Sequence, residues 1–323
     1  MIAILLIKII VGLLALYFGA GFIVNSSSRV ARRMGLSELW IGLTIVAFGT
    51  SLPELVVAIT SNLGVAQDLA MSNIAGANVN NITLILGIAA FISPLMISEK
   101  STRREISFLI LAGALFFVLA LIGSEISRLD GIILFTMFII FTFTCCVVDF
   151  FKEPPCCRVI HNDSNEVDGE KKKSMAFDIF LMIIGIVALT FGGQITVKNA
   201  VLLATIMNIS QTVIGATIVS LGTTLPELFT SVVAASHGKL DISIGNIIGS
   251  CIFNMLAVVG IASMIKPIPV STDILTLHFP FMLLTSMIVI PMISPDFYID
   301  KKESLVLILV YIFYIFSNIM TNI

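Results

Sequence analysis

Long apolar runs, each closed by charged or turn-forming residues, recur along the whole chain. Ten of them fall near 3–25, 38–62, 69–97, 106–124, 130–151, 175–197, 209–235, 242–265, 273–294 and 303–321. A membrane span needs about 20 apolar residues. Lipid offers the backbone no hydrogen-bond partners, so each run predicts a helix. Several runs exceed that length, which predicts tilt or internal breaks. The first run has no basic lead and no small-x-small cleavage site, so it does not read as a signal peptide. One segment departs from the pattern. Residues 152–174, KEPPCCRVIHNDSNEVDGEKKKS, are polar and charged without an apolar period and predict a flexible linker between 1–151 and 175–323. The expected fold is an all-α polytopic membrane protein of ten transmembrane helices.

Composition narrows the function classes. Of 323 residues, 58% are hydrophobic and only 12% charged, about half the charge of a soluble domain. A soluble enzyme and a disordered chain are excluded. The net charge of −2 offers no basic surface for nucleic acid. Five cysteines, four of them in adjacent pairs at 145–146 and 156–157, make no secreted disulfide framework. Fourteen of the 18 Lys and Arg fall in the alternate loops beginning with the first. That bias predicts a cytoplasmic 152–174 loop and two termini on the outer side.

Residues 41–55, IGLTIVAFGTSLPEL, and 214–228, IGATIVSLGTTLPEL, agree at eleven of fifteen positions, at an offset of 173. The same offset aligns 68–87 with 241–260 without a gap. The repeats, 41–87 and 214–260, fall in the second and third spans of each half. Five spans per half invert the second copy in the membrane, predicting two inverted-topology five-helix repeats. That is an architecture of secondary transporters, whose sites lie where the repeats meet.

Glu54 and Glu227 are repeat mates and the only acidic residues deep within apolar runs. A charge at the bilayer centre costs about 2.5–3.5 kcal/mol on insertion scales. Two would be a poor structural choice without a compensating cation; a protonated carboxyl bonded to a neighbouring helix is the bland alternative. In GTSLPEL and GTTLPEL the Pro lacks an N–H and crowds the preceding turn. The helix is expected to open there and expose carbonyls beside the hydroxyls of Thr50, Ser51, Thr223 and Thr224. Such oxygens suit Na+ and Ca2+ rather than soft metals. Asn81 and Asn254, each 27 residues beyond its Glu, can turn amide oxygens to the same centre or serve as interhelical glue. Asn73 and Asn246 divide evenly between those roles.

These motifs resemble the Ca2+:cation antiporter superfamily, which includes the sodium/calcium exchangers. The resemblance rests on the two repeats and, with the ten-span layout, covers nearly the whole chain. It implies that helices 2, 3, 7 and 8 surround the ions while helices 1 and 6 slide across them. It implicates Glu54 and Glu227 as central ligands, joined by the carbonyls of Thr50 and Thr223. Ser51 and Thr224 become flanking Na+ ligands with the carbonyls of Ala47 and Ser220, and Asn81 and Asn254 take the middle polar position. The family pattern in helices 3 and 8 is close to GN-x-x-GSN. This chain has SNIAGAN and GNIIGSC, so Ser250 keeps a hydroxyl ligand that Ala77 lacks.

The expected function is a non-enzymatic antiporter exchanging Ca2+ for Na+ in a prokaryotic plasma membrane. It needs no cofactor; its partners are the bilayer and small inorganic cations, with no protein partner evident. A Ca2+/H+ antiporter of the same fold is the alternative, which Ala77 fits, and a cation channel is the more distant one. The chain has no HExxH or GxSxG motif.

Overall fold

The structure is a computed structural model that describes residues 2–64, 67–97, 100–152, 174–209, 214, 217–218, 220–288, 291 and 297–321. Its helices are α1 (Ile2–Met34), α2 (Glu38–Thr50), α3 (Leu52–Leu63), α4 (67–92), α5 (Lys100–Gly123), α6 (Arg128–Lys152), α7 (Met175–Ile206), α8 (Ser220–Gly222), α9 (Leu225–Ser236), α10 (Leu240–Ile265), α11 (Ile274–Ile288) and α12 (Lys301–Thr321). Seven are singly long and apolar enough to cross a membrane, and the pair α2–α3, bent by 44°, makes an eighth. The shorter helices α9 and α11 fall within the expected seventh and ninth spans. Much of 209–219 and 289–296, and the linker residues 153–173 with Cys156 and Cys157, lie outside the described residues. Ile122 and Leu129 are 79% and 72% exposed, the outward apolar surface of an integral membrane protein.

Four short strands, which the apolar pattern does not announce, tie the helix ends. They are β1 (Leu95–Ile97), β2 (Glu125–Ile126), β3 (Ile268–Pro269) and β4 (Phe297–Ile299). β1 pairs antiparallel with β4, matching Leu95 to Ile299; β2 pairs antiparallel with β3, matching Ile126 to Ile268. Ile268 and Ile299 lie 173 residues beyond Leu95 and Ile126, so each contact is the repeat mate of the other. The 24 residues of α5 separate β1 from β2, so the two strand pairs mark opposite ends of the molecule. Capping boxes follow the same offset. Asp130 accepts from Ser127 N at 2.9 Å ahead of α6, and Glu303 accepts from Asp300 N at 3.1 Å ahead of α12.

Burial decides which helices form the centre. In α4 and α10, 83% and 89% of the apolar window is buried, against 22–33% for the other long helices. These two carry Asn81 and Asn254. Packing is closest where side chains vanish. A Cβ on Gly12 would lie 2.8 Å from Gly192 O, and one on Gly185 would lie 2.8 Å from Gly19 O. The reversed order makes α1 and α7 antiparallel. Gly12 and Gly185, like Gly19 and Gly192, are repeat mates, so this contact is two-fold about its own centre.

Several expected boundaries move. The fourth span, expected from 106 with Lys100, Arg103 and Arg104 in a loop, begins at Lys100 and carries all three; the shifts in α1 and α7 are larger. The first span was placed at 3–25 with Arg29, Arg32 and Arg33 in a loop, but α1 runs on to Met34 and carries all three. Buried Asp178 at the start of α7 holds Arg29 Nε at 2.7 Å and Arg33 Nη1 at 2.9 Å. Basic residues also complement a helix C-terminus, and Gly35, at φ +67°, ends the helix. Likewise α7 continues past 197 to Ile206, bringing Lys198 and Asn199 inside it. At the same end of the molecule, Glu38 accepts from Ser28 Oγ and pairs with Lys239 Nζ at 3.2 Å. Asp178→Asn is expected to lower stability by about 1.5–3 kcal/mol, the worth of hydrogen bonds to charged groups. The lower figure is favoured because Arg29 and Arg33 are 23% and 33% exposed. An unchanged melting temperature in detergent would remove this role from Asp178.

Candidate ion-binding site

The helix breaks fall at the two Pro motifs. Ser51, at φ −88° and ψ 11°, separates α2 from α3; Thr223 and Thr224 separate α8 from α9. Pro53 and Pro226 occupy the second position of the following helix, where their missing N–H costs least. Each Glu therefore stands in the first turn of a helix, at its positive end. Glu54 and Glu227 are fully buried.

The surrounding groups are hydroxyls, amides and carbonyls. Ser51 Oγ donates to Glu227 Oε1 at 2.7 Å. Thr50 Oγ1 donates to Asn246 Oδ1 at 3.1 Å and lies 3.5 Å from Ser250 Oγ. Thr223 Oγ1 donates to Asn73 Oδ1 at 3.2 Å, the repeat mate of the Thr50–Asn246 bond. Asn73 and Asn246 thus brace hydroxyls of the opposite repeat, and Asn246 Nδ2 is itself held by Ser231 Oγ at 2.9 Å. Asn254 Nδ2 donates to Asn78 Oδ1 at 3.3 Å. The Ala47 carbonyl accepts from Ser51 N at 3.0 Å and from Thr50 Oγ1 at 3.2 Å. Ser220 opens α8, four residues before Thr224.

Asn81 and Asn254 each adjoin a π-helical turn, Asn81–Ile85 and Phe253–Val258. Such turns widen a helix and recur at functional sites. Among the described residues, both oxygens of Glu54, Glu227 Oε2, both amide atoms of Asn81 and Asn254 Oδ1 are buried without a hydrogen-bond partner. Leaving one such group unmade costs about 1–3 kcal/mol, more when it is charged. A hard cation among these oxygens would remove that cost.

The sequence reading passes over Asn80 and Ser231. Asn80 is fully buried, and its Nδ2 donates to Thr224 Oγ1 at 3.3 Å. Their repeat mates are Phe253 and Ala58, so a search for polar residues shared by both repeats cannot find them. His278, without a matching His in the other half, packs against α12, its Nδ1 2.9 Å from the Tyr314 hydroxyl.

A cavity of about 690 Å³ lies between α3, α7 and the α8–α9 break, with Thr223 the one candidate site residue in its lining. Pro53 and Val56, Gln194 and Lys198, and Thr223 and Pro226 lie along it. In the repeat-related region Leu16, Ala20, Ile23 and Val24 of α1 cluster with Leu225, Phe229 and Val233 of α9.

A helical membrane protein with two opposed helix breaks around an oxygen-lined, acidic centre is the class this geometry defines. The chain belongs to the sodium/calcium exchanger protein family, which matches residues 4–147 and 177–320. Residue 177 lies 173 after 4, and 320 lies 173 after 147, the offset of the internal repeat. The chain is 30% identical to the sodium/calcium exchanger MaX1 of Methanosarcina acetivorans, with 97% of each chain covered. It is 32% identical to the inner membrane protein YrbG of Escherichia coli, over 87% of this chain and 86% of that one. Among solved structures, the sodium-calcium exchanger NCX_Mj soaked with 100 mM Na+ and 10 mM Sr2+ superimposes with a TM-score of 0.83. It is 27% identical, and 98% of this chain and 99% of that chain are covered.

Proposed function

We propose that this protein is a secondary antiporter that moves Ca2+ against Na+ by alternating access, binding both ions between the α2–α3 and α8–α9 breaks. The observation that carries this reading is the pair of buried carboxylates, Glu54 and Glu227, one on each repeat and both with unmet oxygens. Together they match the charge of one Ca2+, and Asn81, Asn254 and the carbonyls freed by Pro53 and Pro226 extend the set toward the six to eight oxygens Ca2+ takes. Thr50, Ser51, Thr223, Thr224 and Ser250, with the carbonyls of Ala47 and Ser220, supply flanking positions for Na+.

In this reading 1–151 and 175–323 are inverted five-span halves joined by a cytoplasmic linker, and both termini face outward. The cavity beside Lys198 gives access from one side, and the packing of α1 on α9 closes the other. Exchange is obligatory because the empty site carries two charges. At about 2.5–3.5 kcal/mol each, moving them undischarged is disfavoured by several kcal/mol. Uptake of 45Ca2+ into proteoliposomes is expected when they are loaded with Na+ and not when loaded with acid alone. Uptake driven only by the proton gradient would overturn Na+ coupling and favour the H+-driven reading, for which buried Ala77, without a hydroxyl, is the supporting observation.

A further inference from the structure

The two flanks of the site are built from repeat mates, yet their hydroxyls are wired differently. On one flank Ser51 donates its proton to Glu227 at 2.7 Å. That leaves both lone pairs of the Ser51 oxygen for a cation. Thr50 and Ser250 add two more hydroxyl oxygens beside it, 3.5 Å apart. On the other flank the mate of Ser51 is Thr224. Its proton goes to Leu221 O at 3.1 Å, and one lone pair is taken by Asn80 Nδ2 at 3.3 Å. The Thr224 hydroxyl gives Glu54 no hydrogen bond there. Ala77, buried one turn before Asn80, adds no oxygen where its mate Ser250 does.

Resting on the exchange proposed above, we infer that Asn80 is a positioning residue that sets the monovalent-ion preference of the site. It turns the Thr224 hydroxyl away from Glu54. Na+ is bound firmly on the Ser51–Glu227 flank and weakly on the Thr224–Glu54 flank. Nothing in the repeat requires this, because the mate of Asn80 is Phe253. The amide belongs to one half only, and so does its effect. Removing it leaves Thr224 free to rotate and donate to Glu54, as Ser51 donates to Glu227.

The test measures Na+ displacement of 45Ca2+ from the detergent-purified full chain, with Na+-driven uptake in proteoliposomes alongside. Asn80→Ala is expected to strengthen Na+ competition at least threefold and steepen its concentration dependence. Ca2+ affinity without Na+ should change by less than twofold. Ser51→Ala should weaken Na+ competition strongly in the unaltered background, and Thr224→Val should weaken it several-fold less there. Thr224→Val should cancel the gain only when Asn80 is also Ala. That coupling is what a double-mutant cycle reads. A merely structural Asn80 would shift Na+ and Ca2+ together, and that result would overturn the inference. If Asn80→Ala does not fold, Ala77→Ser, which adds a hydroxyl to the same flank, should strengthen Na+ competition; an unchanged response overturns the inference by this second route. Na+-driven uptake by the unaltered chain, with the Thr224 and Ser51 variants equal, would defeat this inference alone. No Na+-driven uptake would defeat the exchange reading with it.

Discussion

Ca2+ exchange is expected to disappear when either Glu54 or Glu227 is replaced by Gln, while the protein still inserts and folds. Gln keeps the shape and one carbonyl oxygen but removes a unit of charge from a site with no opposing side chain. Two unit charges 4 Å apart interact by about 4 kcal/mol at an effective dielectric of 20. The divalent charge of Ca2+ doubles that attraction and desolvation of the carboxylate offsets part of it, so at about 1.4 kcal/mol for each tenfold in affinity the loss weakens Ca2+ binding by at least about three orders of magnitude. Insertion should improve, because a buried carboxylate is costly in lipid. Binding of 45Ca2+ to purified protein, read beside its melting temperature, checks both halves of the expectation. Near-normal exchange in either variant would remove the central assignment. Glu227→Gln keeps an oxygen that can accept from Ser51 but removes the charge behind that 2.7 Å bond, so its Na+ dependence should degrade further than that of Glu54→Gln.

The second large effect is expected at the contact of α1 with α7. Gly192→Leu places a branched side chain where a Cβ alone would meet Gly12 O at 2.9 Å and the Ala15 methyl at 3.1 Å. Backbone stands on the far side, so the helices must separate. Overpacking a tight contact costs about 1–3 kcal/mol, occasionally more. Small residues carry such contacts in membranes because apolar side chains gain nothing from leaving lipid. Exchange should fall at least tenfold and the melting temperature should drop. Gly21→Leu, at a position with nothing within 4 Å, is the control and should change neither. Equal behaviour of the two variants would show that the close approach has no role.

Much of this was legible in the chain itself. The apolar runs located the long helices, and the Pro of GT[ST]LPE located both helix breaks to within a residue or two. The 173-residue offset, noticed through the Glu motifs, also governs the capping boxes at Ser127 and Asp300, the paired strands and the glycines of α1 and α7. What stayed hidden has a physical reason in each case. β1–β4 are two or three residues long, too short to show an alternating pattern. Arg29 and Arg33 read as loop residues because their partner, Asp178, is some 150 positions away. Asn80 and Ser231 act across helices from positions where the other half is apolar, so similarity between the repeats concealed them. Polar residues in a buried helix were plain in α4 and α10; which of them brace and which face the centre required the fold.

The charges at one end of the molecule bear on its resting equilibrium. In the alternating-access reading, a body with perfect internal two-fold symmetry would have two arrangements related by that rotation and equal in energy, with neither preferred. Here Asp178 has Leu5 as its repeat mate and Glu38 has Gln211, so the ion pairs with Arg29, Arg33 and Lys239 have no counterpart at the far end. Degeneracy is broken by residues remote from any transported ion. A few kcal/mol is enough to reduce the minor arrangement to between a tenth and a thousandth of the molecules. Because these pairs are partly exposed, salt on that side of the membrane alone weakens them. Under the alternating access proposed above, the balance between the two arrangements is therefore expected to respond to salt in one compartment and not the other.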